Sequence, residues 1–331
     1  MADFTNTTGD PIFDSTLRQG LSAQLAQSPF LSLLPDSRIA QILALMTEPK
    51  DARLTQKLAR EVCQRTASVA TIEGFISSNG SQYVLELRAV NCRSGDVLAA
   101  EQVTANAQTQ VLPAMGDAAR NIRRKLGESL ASVLKYDAPP RDVTTGSLEA
   151  RQAYSVGYRA HTLRHDEVAA IPQLQRAVSL DPNFAMAFTT LGACYSTSGE
   201  AVRAAESFRR AYALRERVSA NEEFYITLSY ETNVTGNLEA ARKEAGLYTQ
   251  AYPRDYLAQN VLSNICRFLG EYDKALAAAE VALKLNPQSA LIYCTLSNEL
   301  PGIEPSGRSS GHGEPSARSG RRKRQSVPLP D

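Results

Sequence analysis

Two histidines four positions apart are the residues whose types and spacing could bind a metal. His161 and His165 would lie on one side of a helix, and Asp166 and Glu167 follow them directly. Imidazole and carboxylate groups are ligands that Zn²⁺ accepts. The alternative is that all four are polar residues at a turn between two helices, and we favour it because the chain has only three His. We therefore expect no metal ion and no other cofactor.

The five cysteines offer a second kind of chemistry. They are odd in number and show no CxxC spacing, which argues against a zinc ribbon, an iron–sulfur site or a dense disulfide framework. Cys63 lies at the end of a predicted helix and Cys92 at a predicted hairpin turn, so the two could meet. Either they form a disulfide, which requires an oxidising compartment, or they are two ordinary buried thiols.

The motifs of the common enzyme classes are missing from the two predicted domains. No phosphate-binding GxxxxGK[ST] loop, GxGxxG, HExxH or EF-hand loop occurs among the 331 residues, and GxSxG occurs only at residues 307–311, beyond those domains and outside any predicted strand-to-helix turn. The net charge of +1 also argues against a generally basic nucleic-acid binder. One basic cluster, residues 321–324, could contact an anionic surface, but a solvated charge run is the simpler interpretation. We expect a protein that is not an enzyme and does not bind nucleic acid.

Membrane and export signals are also missing from the sequence. No apolar run reaches the ~20 residues that a membrane-spanning helix needs. The start has no basic segment followed by an apolar one, so a signal peptide is not predicted. As written, the chain is expected to be cytoplasmic.

The helical patterns of the first 137 residues alternate with strand patterns. A capping segment at residues 14–16 precedes leucines at every fourth position, which predicts a helix that starts there. Asp36 and Thr55 are expected to cap two more helices. Apolar residues that recur every three or four positions predict one long helix over 111–133.

The strand patterns of this region predict a short buried strand at 30–34 and a three-strand meander between 69 and 104. Asn79-Gly80 is a strong hairpin signal, because both residues tolerate positive φ. From Tyr83 onward, every second residue is apolar, which is typical of a strand with one buried face. Residues 1–137 are thus predicted to form an α+β domain with helices packed on a small mixed sheet.

Residues 148–300 are predicted to be helical and repetitive, after a proline-containing linker at 138–147. Ala177 and Ala211 are 34 residues apart, and so are Tyr248 and Ala282, with a three-residue insertion near 217–221 between the two pairs. Small residues such as Gly192 recur where two helices would cross. Glycines recur where each helical pair would turn, at positions 199, 236 and 270.

This pattern resembles the tetratricopeptide repeat, with about four units and a truncated fifth that begins near Ala290. The resemblance implies an all-α solenoid whose first helices line a concave surface that binds a peptide or protein segment. Carried over from the repeat, the groove positions of this chain are Thr189, Ala193, Ser196, Ile226, Tyr230, Asn233, Asn260, Asn264 and Arg267. Asn260 and Asn264 are expected to hold an extended backbone by amide hydrogen bonds, and Arg267 is expected to bind a carboxylate. The alternative is that these are ordinary solvated polar residues.

A second resemblance rests on residues 4–10 (FTNTTGD), 17–21 (LRQGL), 72–74 (IEG) and 91–96 (NCRSGD). The first domain is similar to the amino-terminal α/β domain of the periplasmic Tol translocation protein. Residues 2–300 resemble the carboxy-terminal, non-kinase half of acidobacterial-type membrane serine/threonine kinases. That resemblance implies a sensory or regulatory role in a kinase system and an extracytoplasmic location. The kinase motifs themselves do not occur in this sequence.

The ends of the chain depart from these patterns. Pro301 interrupts the fifth unit, and residues 301–331 are predicted to be a disordered tail, for which out-of-frame translation is one explanation. The start is expected to fall inside the first strand of the α/β domain. An uncapped fifth unit would leave an apolar face open and favour self-association.

Overall fold

The structure is a computed structural model that describes residues 1–50, 52–137 and 145–286. The truncated fifth repeat unit, the tail at 301–331, its basic cluster and most of the predicted linker lie outside these ranges. Self-association through the fifth unit therefore stays a prediction. No described helix is both long and apolar enough to cross a membrane.

The amino-terminal unit is a four-stranded mixed sheet with helices packed on it. Its strands lie in the order β1 (Thr5–Asn6), β2 (Ala70–Asn79), β3 (Gln82–Asn91) and β4 (Val97–Ala105). β1 pairs parallel to β2, and the other neighbours pair antiparallel. The hairpin turn occupies Gly80 and Ser81, one residue later than predicted.

One face of the sheet packs on α1 (Ile12–Ala26) and α4 (Val111–Lys125). Side chains of β3 alternate as the sequence predicts, since Leu85, Leu87 and Ala89 are fully buried. Gly74 of β2 is required there, because a Cβ at that position would lie 2.6 Å from the Phe4 ring. The predicted α+β arrangement is thus what the described residues form.

Several local predictions about the first unit differ from the structure. Asp36 is the first residue of its helix and not the cap, which is Pro35. α1 begins at Ile12, two residues before the predicted cap, because the Asp10 carboxylate accepts a hydrogen bond from the Ile12 amide (2.9 Å). The long helix predicted over 111–133 ends at Lys125, and Gly127 (φ 104°) separates it from α5 (Leu130–Tyr136). The strand predicted at 30–34 is wrong, since the segment is irregular there.

Two further helices lie beside the sheet, α2 (Asp36–Leu45) and α3 (Gln56–Arg65). Thr55 caps α3 as predicted, and its hydroxyl oxygen accepts a hydrogen bond from the Leu58 amide (3.3 Å). α2 and α3 share a small apolar cluster that contains Ile42, Leu43 and Val62. This cluster orients the start of α2, which points toward the helical part of the chain.

Within residues 145–286, the helical part consists of four consecutive helical hairpins. Their helices are α6 (Leu148–Arg159) with α7 (Glu167–Leu180), α8 (Ala185–Thr197) with α9 (Ala201–Ala213), α10 (Ala220–Tyr230) with α11 (Leu238–Ala251), and α12 (Tyr256–Phe268) with α13 (Tyr272–Leu285). Each second helix also contacts the first helix of the next hairpin. The result is the stacked arrangement that the 34-residue spacing predicts.

Small residues set the helix spacing within these hairpins. A Cβ at Gly192 would lie 2.9 Å from the Phe208 ring, so α8 and α9 approach each other only because this position has no side chain. Gly199, Gly236 and Gly270 have positive φ angles of 69–76° at the turns, as expected. The first turn differs, because His165 occupies the corresponding position with φ 52°.

The α/β unit and the hairpins share buried contacts. Leu148 at the start of α6 belongs to the same apolar cluster as the sheet, and α1 packs against α6. Arg151 of α6 is 1% exposed and lies beside Gly20 of α1. The first helix of the stack is therefore covered on one side by the amino-terminal unit.

Candidate binding groove

The predicted groove residues lie on the first helices of the second, third and fourth hairpins, except Asn233, which lies on the π-helical turn Glu231–Thr235 that follows α10. Each hairpin contributes three positions, spaced four and then three residues apart, which in a regular helix share one face. Their accessibility changes along each helix.

Groove positions near the starts of these helices are buried. Thr189 is 1% exposed, and its hydroxyl donates a hydrogen bond to the Ala185 carbonyl (3.0 Å). Ile226 is 1% exposed and packs with Ala185 and Leu214. Asn260 is 4% exposed, and its side-chain oxygen has no hydrogen-bond partner within the described residues. These positions contribute to packing between hairpins rather than to an accessible surface.

Positions near the ends of the same helices are accessible. Ser196 and Asn233 are exposed, and the Asn233 amide donates to the Ser229 carbonyl (2.8 Å). The Tyr230 ring stacks on the Tyr212 ring, with the two ring centroids 4.0 Å apart. Aromatic stacking of this kind limits the rotamers of Tyr230 and gives the surface a fixed apolar element.

In the fourth hairpin, the side chains of Asn260 and Asn264 are not arranged as the predicted pair that would hold an extended backbone. The Asn264 amide donates to the Asn260 carbonyl (3.0 Å), so the two side-chain amides do not project as a pair. Arg267 is half-buried, and its guanidinium lies 4.2 Å from the centroid of the Phe268 ring. Phe268 is 59% exposed. Sequence reasoning missed this residue, although an aromatic side chain beside a groove arginine is a usable signal.

We define the open half of the groove as Ser196, Tyr230, Asn233, Arg267 and Phe268. It carries a hydroxyl, an amide, a guanidinium and two aromatic rings near the last turns of three successive first helices. Such groups can donate hydrogen bonds to peptide carbonyls and carboxylates, and the rings can cover apolar side chains.

The amino-terminal unit makes polar contacts with the fourth hairpin. The Arg254 guanidinium, just before α12, donates a hydrogen bond to the Phe30 carbonyl (3.0 Å) and lies 5.7 Å from the Phe30 ring. The hydroxyl of Ser32 is 3.5 Å from the Arg254 carbonyl oxygen. The Phe30 carbonyl and the Ser32 hydroxyl thus bond to the repeats, whereas the amides of Phe30 and Leu31 donate to the Ser28 hydroxyl oxygen.

Tyrosines of the first helices surround the start of α2. Tyr256 hydrogen-bonds to the side chain of Ser37, and burial raises the pKa of Tyr256 to about 12. Burial also raises the pKa of Tyr158, on which the charge of Asp36 acts in the same direction. The start of α2 therefore lies between side chains of the first and fourth hairpins.

The histidines considered above have different surroundings. His161 lies on a π-helical turn, Ala160–Arg164, and its Nδ1 is 2.8 Å from a carboxylate oxygen of Glu167. His165 adopts the left-handed conformation at the end of that turn. The two histidines do not share one helical face, because the helix ends between them.

The structure joins Cys63 and Cys92 by a disulfide, with Cα atoms 6.0 Å apart. The sequence left this pairing open. The bond ties the end of α3 to the turn after β3, both of which lie in the amino-terminal unit. Cys194 and Cys266 are free and buried.

With the hairpins and the groove described, the class of the helical part follows from its own geometry: within the described residues it is a solenoid of stacked helical hairpins. A scan against protein-family models finds no match. A search of curated proteins finds none either.

Solved structures show partial likeness to the chain. A crystal structure of MamA is 23% identical, with a TM-score of 0.31 over 43% of this chain and 80% of that one. MamA from Desulfovibrio magneticus RS-1 is 18% identical, with a TM-score of 0.32 over 42% and 76%. The APC/C hetero-tetramer Cut9-Hcn1 is 17% identical, with a TM-score of 0.34 over 42% and 26%. The assignment to helical hairpins therefore rests on the repeats themselves.

Proposed function

We propose that this chain is a non-catalytic scaffold that binds an extended segment of a protein partner along the open half of the groove. The observation that carries this proposal is the recurrence of exposed or half-buried hydrogen-bonding side chains at or just after the ends of three successive first helices, at Ser196, Asn233 and Arg267. A partner that crosses the three hairpins would meet one such group at each.

The chemistry of these residues favours a polypeptide ligand. Ser196 and Asn233 can bond to backbone amides and carbonyls of any sequence, whereas Arg267 favours a carboxylate. Tyr230 and Phe268 would cover apolar side chains between those polar contacts. We propose a partner segment with an acidic residue near Arg267 and apolar residues beside it.

Contacts within the molecule support this mode of binding. Segment 30–37 of the amino-terminal unit already contacts the repeats through Arg254 and Tyr256. We propose that residues 1–137 and 148–300 act as two functional units, of which the first is held by the repeats and the second presents the groove.

The reactive groups of the described residues give no support to catalysis. The Cys194 thiol lies within 4.8 Å of a ring nitrogen of His161, but Cys194 is fully buried, and burial together with Glu167 raises the pKa of its thiol. A protonated, inaccessible thiol is a poor nucleophile.

Site-specific photo-crosslinking in the native host tests the scaffold proposal. A benzophenone amino acid placed at Ser196 or Asn233 should form an adduct with the same protein species. The matched control is Arg209, an exposed residue of the second helix α9. The absence of adducts at both groove positions, or equal adducts from Arg209, would contradict the proposal.

A second candidate function is a regulatory fragment of a membrane serine/threonine kinase system. The resemblance of residues 2–300 to the non-kinase half of such proteins favours it, and the disulfide between Cys63 and Cys92 fits their extracytoplasmic location. Reverse transcription across the upstream junction tests it. A kinase reading frame on the same transcript is expected, and an isolated transcript would count against it.

A further inference from the structure

Three metal-binding side chains from separate elements meet between the first two hairpins. His161 comes from the π-helical turn after α6, Glu167 from the start of α7, and Cys194 from α8. One donor atom of each lies within 4.8 Å of the other two. The Nδ1 of His161 is 2.8 and 3.0 Å from the two carboxylate oxygens of Glu167. The Cys194 thiol also hydrogen-bonds to that carboxylate.

We propose that His161, Glu167 and Cys194 bind a divalent transition-metal ion, with Zn²⁺ preferred. Imidazole nitrogen, carboxylate oxygen and thiolate sulfur are the donor types that Zn²⁺ takes in proteins. A tetrahedral ion with ligands at about 2.0–2.3 Å needs donors about 3–4 Å apart, so small side-chain rotations bring these three into place. The fourth position is left for water or for a ligand from outside.

Comparison with the other hairpin junctions shows that packing does not require these residue types. Each hairpin has a residue with positive φ at its turn, at 165, 199, 236 and 270. Aligning the hairpins on these residues gives the positions equivalent to 161, 167 and 194. At the next two junctions they are Tyr195, Ala201 and Glu231, and then Thr232, Leu238 and Ile265. A set of three metal-binding side chains occurs at the first of these junctions only.

The burial of the cluster favours a bound metal cation over a His161–Glu167 ion pair alone. Cys194 is fully buried, and the side chains of His161 and Glu167 are 22% and 14% exposed. Without a metal, the Cys194 thiol can donate only a weak hydrogen bond to the Glu167 carboxylate. A bound cation would instead neutralise the charge of the Glu167 carboxylate and be coordinated by the Cys194 thiolate. Binding would release the thiol proton, so the affinity should rise with pH.

The test is a titration of the full-length, disulfide-intact protein with Co²⁺ and Zn²⁺. Co²⁺ should give sulfur-to-metal charge-transfer absorption at one equivalent, and Zn²⁺ should abolish it. Cys194→Ser should remove this band. His161→Ala and Glu167→Gln should each lower the Zn²⁺ affinity at least about 100-fold, because even loss of a residue that only supports a ligand costs 10–100-fold.

The chain offers matched controls for this titration. Cys266→Ser removes another free, buried thiol, which lies beside Glu271 but belongs to no described group of three ligands. Cys294→Ser removes the thiol outside the described residues, and His165→Ala removes the neighbouring histidine. All three should keep the band and the affinity. No thiolate band in the unmodified protein, or its loss in Cys266→Ser with retention in Cys194→Ser, would overturn the proposal. If Cys194→Ser fails to fold, the Zn²⁺ affinities of His161→Ala and Glu167→Gln, whose side chains are partly exposed, test the proposal; unchanged affinities would overturn it.

Discussion

The guanidinium of Arg254 donates a hydrogen bond to the carbonyl oxygen of Phe30, across 224 positions of sequence. The same side chain lies over the Phe30 ring, and the Ser32 hydroxyl reaches back to the Arg254 carbonyl oxygen. These contacts connect the segment before α2 to the loop before α12. They attach the amino-terminal unit to the fourth hairpin, whereas the contacts of α1 with α6 attach it to the first.

Arg254→Ala should loosen segment 30–34. The substitution removes the donor that holds the Phe30 carbonyl, so the amides of this segment should exchange several-fold faster in hydrogen-exchange measurements on the full chain. The control is Arg203→Ala on α9, because Arg203 bonds to Glu200 of its own hairpin. Unchanged exchange in Arg254→Ala would show that the contact does not hold the segment.

The error at 30–34 has a physical cause. The segment is apolar and bounded by prolines, which from sequence alone is typical of a short buried strand. The amides of Phe30 and Leu31 bond to the Ser28 hydroxyl oxygen and the Phe30 carbonyl bonds to Arg254, so these groups are not paired with a strand. No local sequence pattern indicates a partner 224 positions away. Similarly, the apolar period over 111–133 continues across Gly127 and so predicts one helix, whereas the backbone turns at Gly127 with φ 104°.

His165→Gly should stabilise the repeats. His165 adopts φ 52° at the turn where the other three hairpins have glycine. A left-handed conformation costs a residue with a side chain about 1–2 kcal/mol, which glycine avoids. The greater conformational freedom of glycine in the unfolded chain offsets part of this gain in stability. The free energy of unfolding should therefore rise by about 0.5–1 kcal/mol in urea titrations.

The reciprocal control for this turn is Gly236→Ala. Its φ is 69°, so the added side chain should destabilise the third hairpin by about 1 kcal/mol. A destabilised His165→Gly variant would mean that the imidazole makes a contact that outweighs the backbone strain.

Glu222 should make the stability of the repeats depend on pH. It is 8% exposed, and its burial raises its pKa to about 7, although the charge of Arg151 opposes this shift. Between its usual pKa of 4.5 and 7, the folded chain binds this proton more tightly than the unfolded chain does. The free energy of unfolding therefore falls as pH rises through this window.

Glu222→Gln removes that titration and keeps an acceptor for the hydroxyl of Ser219, which donates to Glu222 at 2.8 Å. Between pH 5 and pH 8 the unmodified protein should lose about 2–3 kcal/mol more stability than this variant. Glu223→Gln, at the next residue, should behave like the unmodified protein. Parallel pH profiles for the unmodified protein and Glu222→Gln would contradict the expectation.

Loss of the disulfide should destabilise the amino-terminal unit. Cys63 and Cys92 close a loop of 29 residues, which corresponds to about 3–4 kcal/mol in the chain-entropy estimate. The paired substitution Cys63→Ser and Cys92→Ser should accelerate exchange of the buried β3 amides at least about 100-fold under conditions of global opening. Equal exchange in the paired variant would show that the bond adds no stability.

The repeats were predictable because their signals are local. Glycine at the turns and small residues such as Gly192 at the helix crossings follow a fixed spacing, and the structure uses them in that way. The accessible half of the groove was not predictable. Whether position 189 or position 196 is exposed depends on how deeply neighbouring hairpins overlap, which the helical period does not report. The cluster of His161 with Cys194 was missed for a similar reason, since it spans two hairpins.

Hydrogen exchange on the full chain, alone and with the partner captured at Ser196 or Asn233, tests the scaffold proposal most directly. We expect protection near the last turns of α8 and α12 and around the end of α10 with the π-helical turn after it, where the open half of the groove lies. Protection confined to the second helices α9, α11 and α13, or to the edge strand β4, would contradict it.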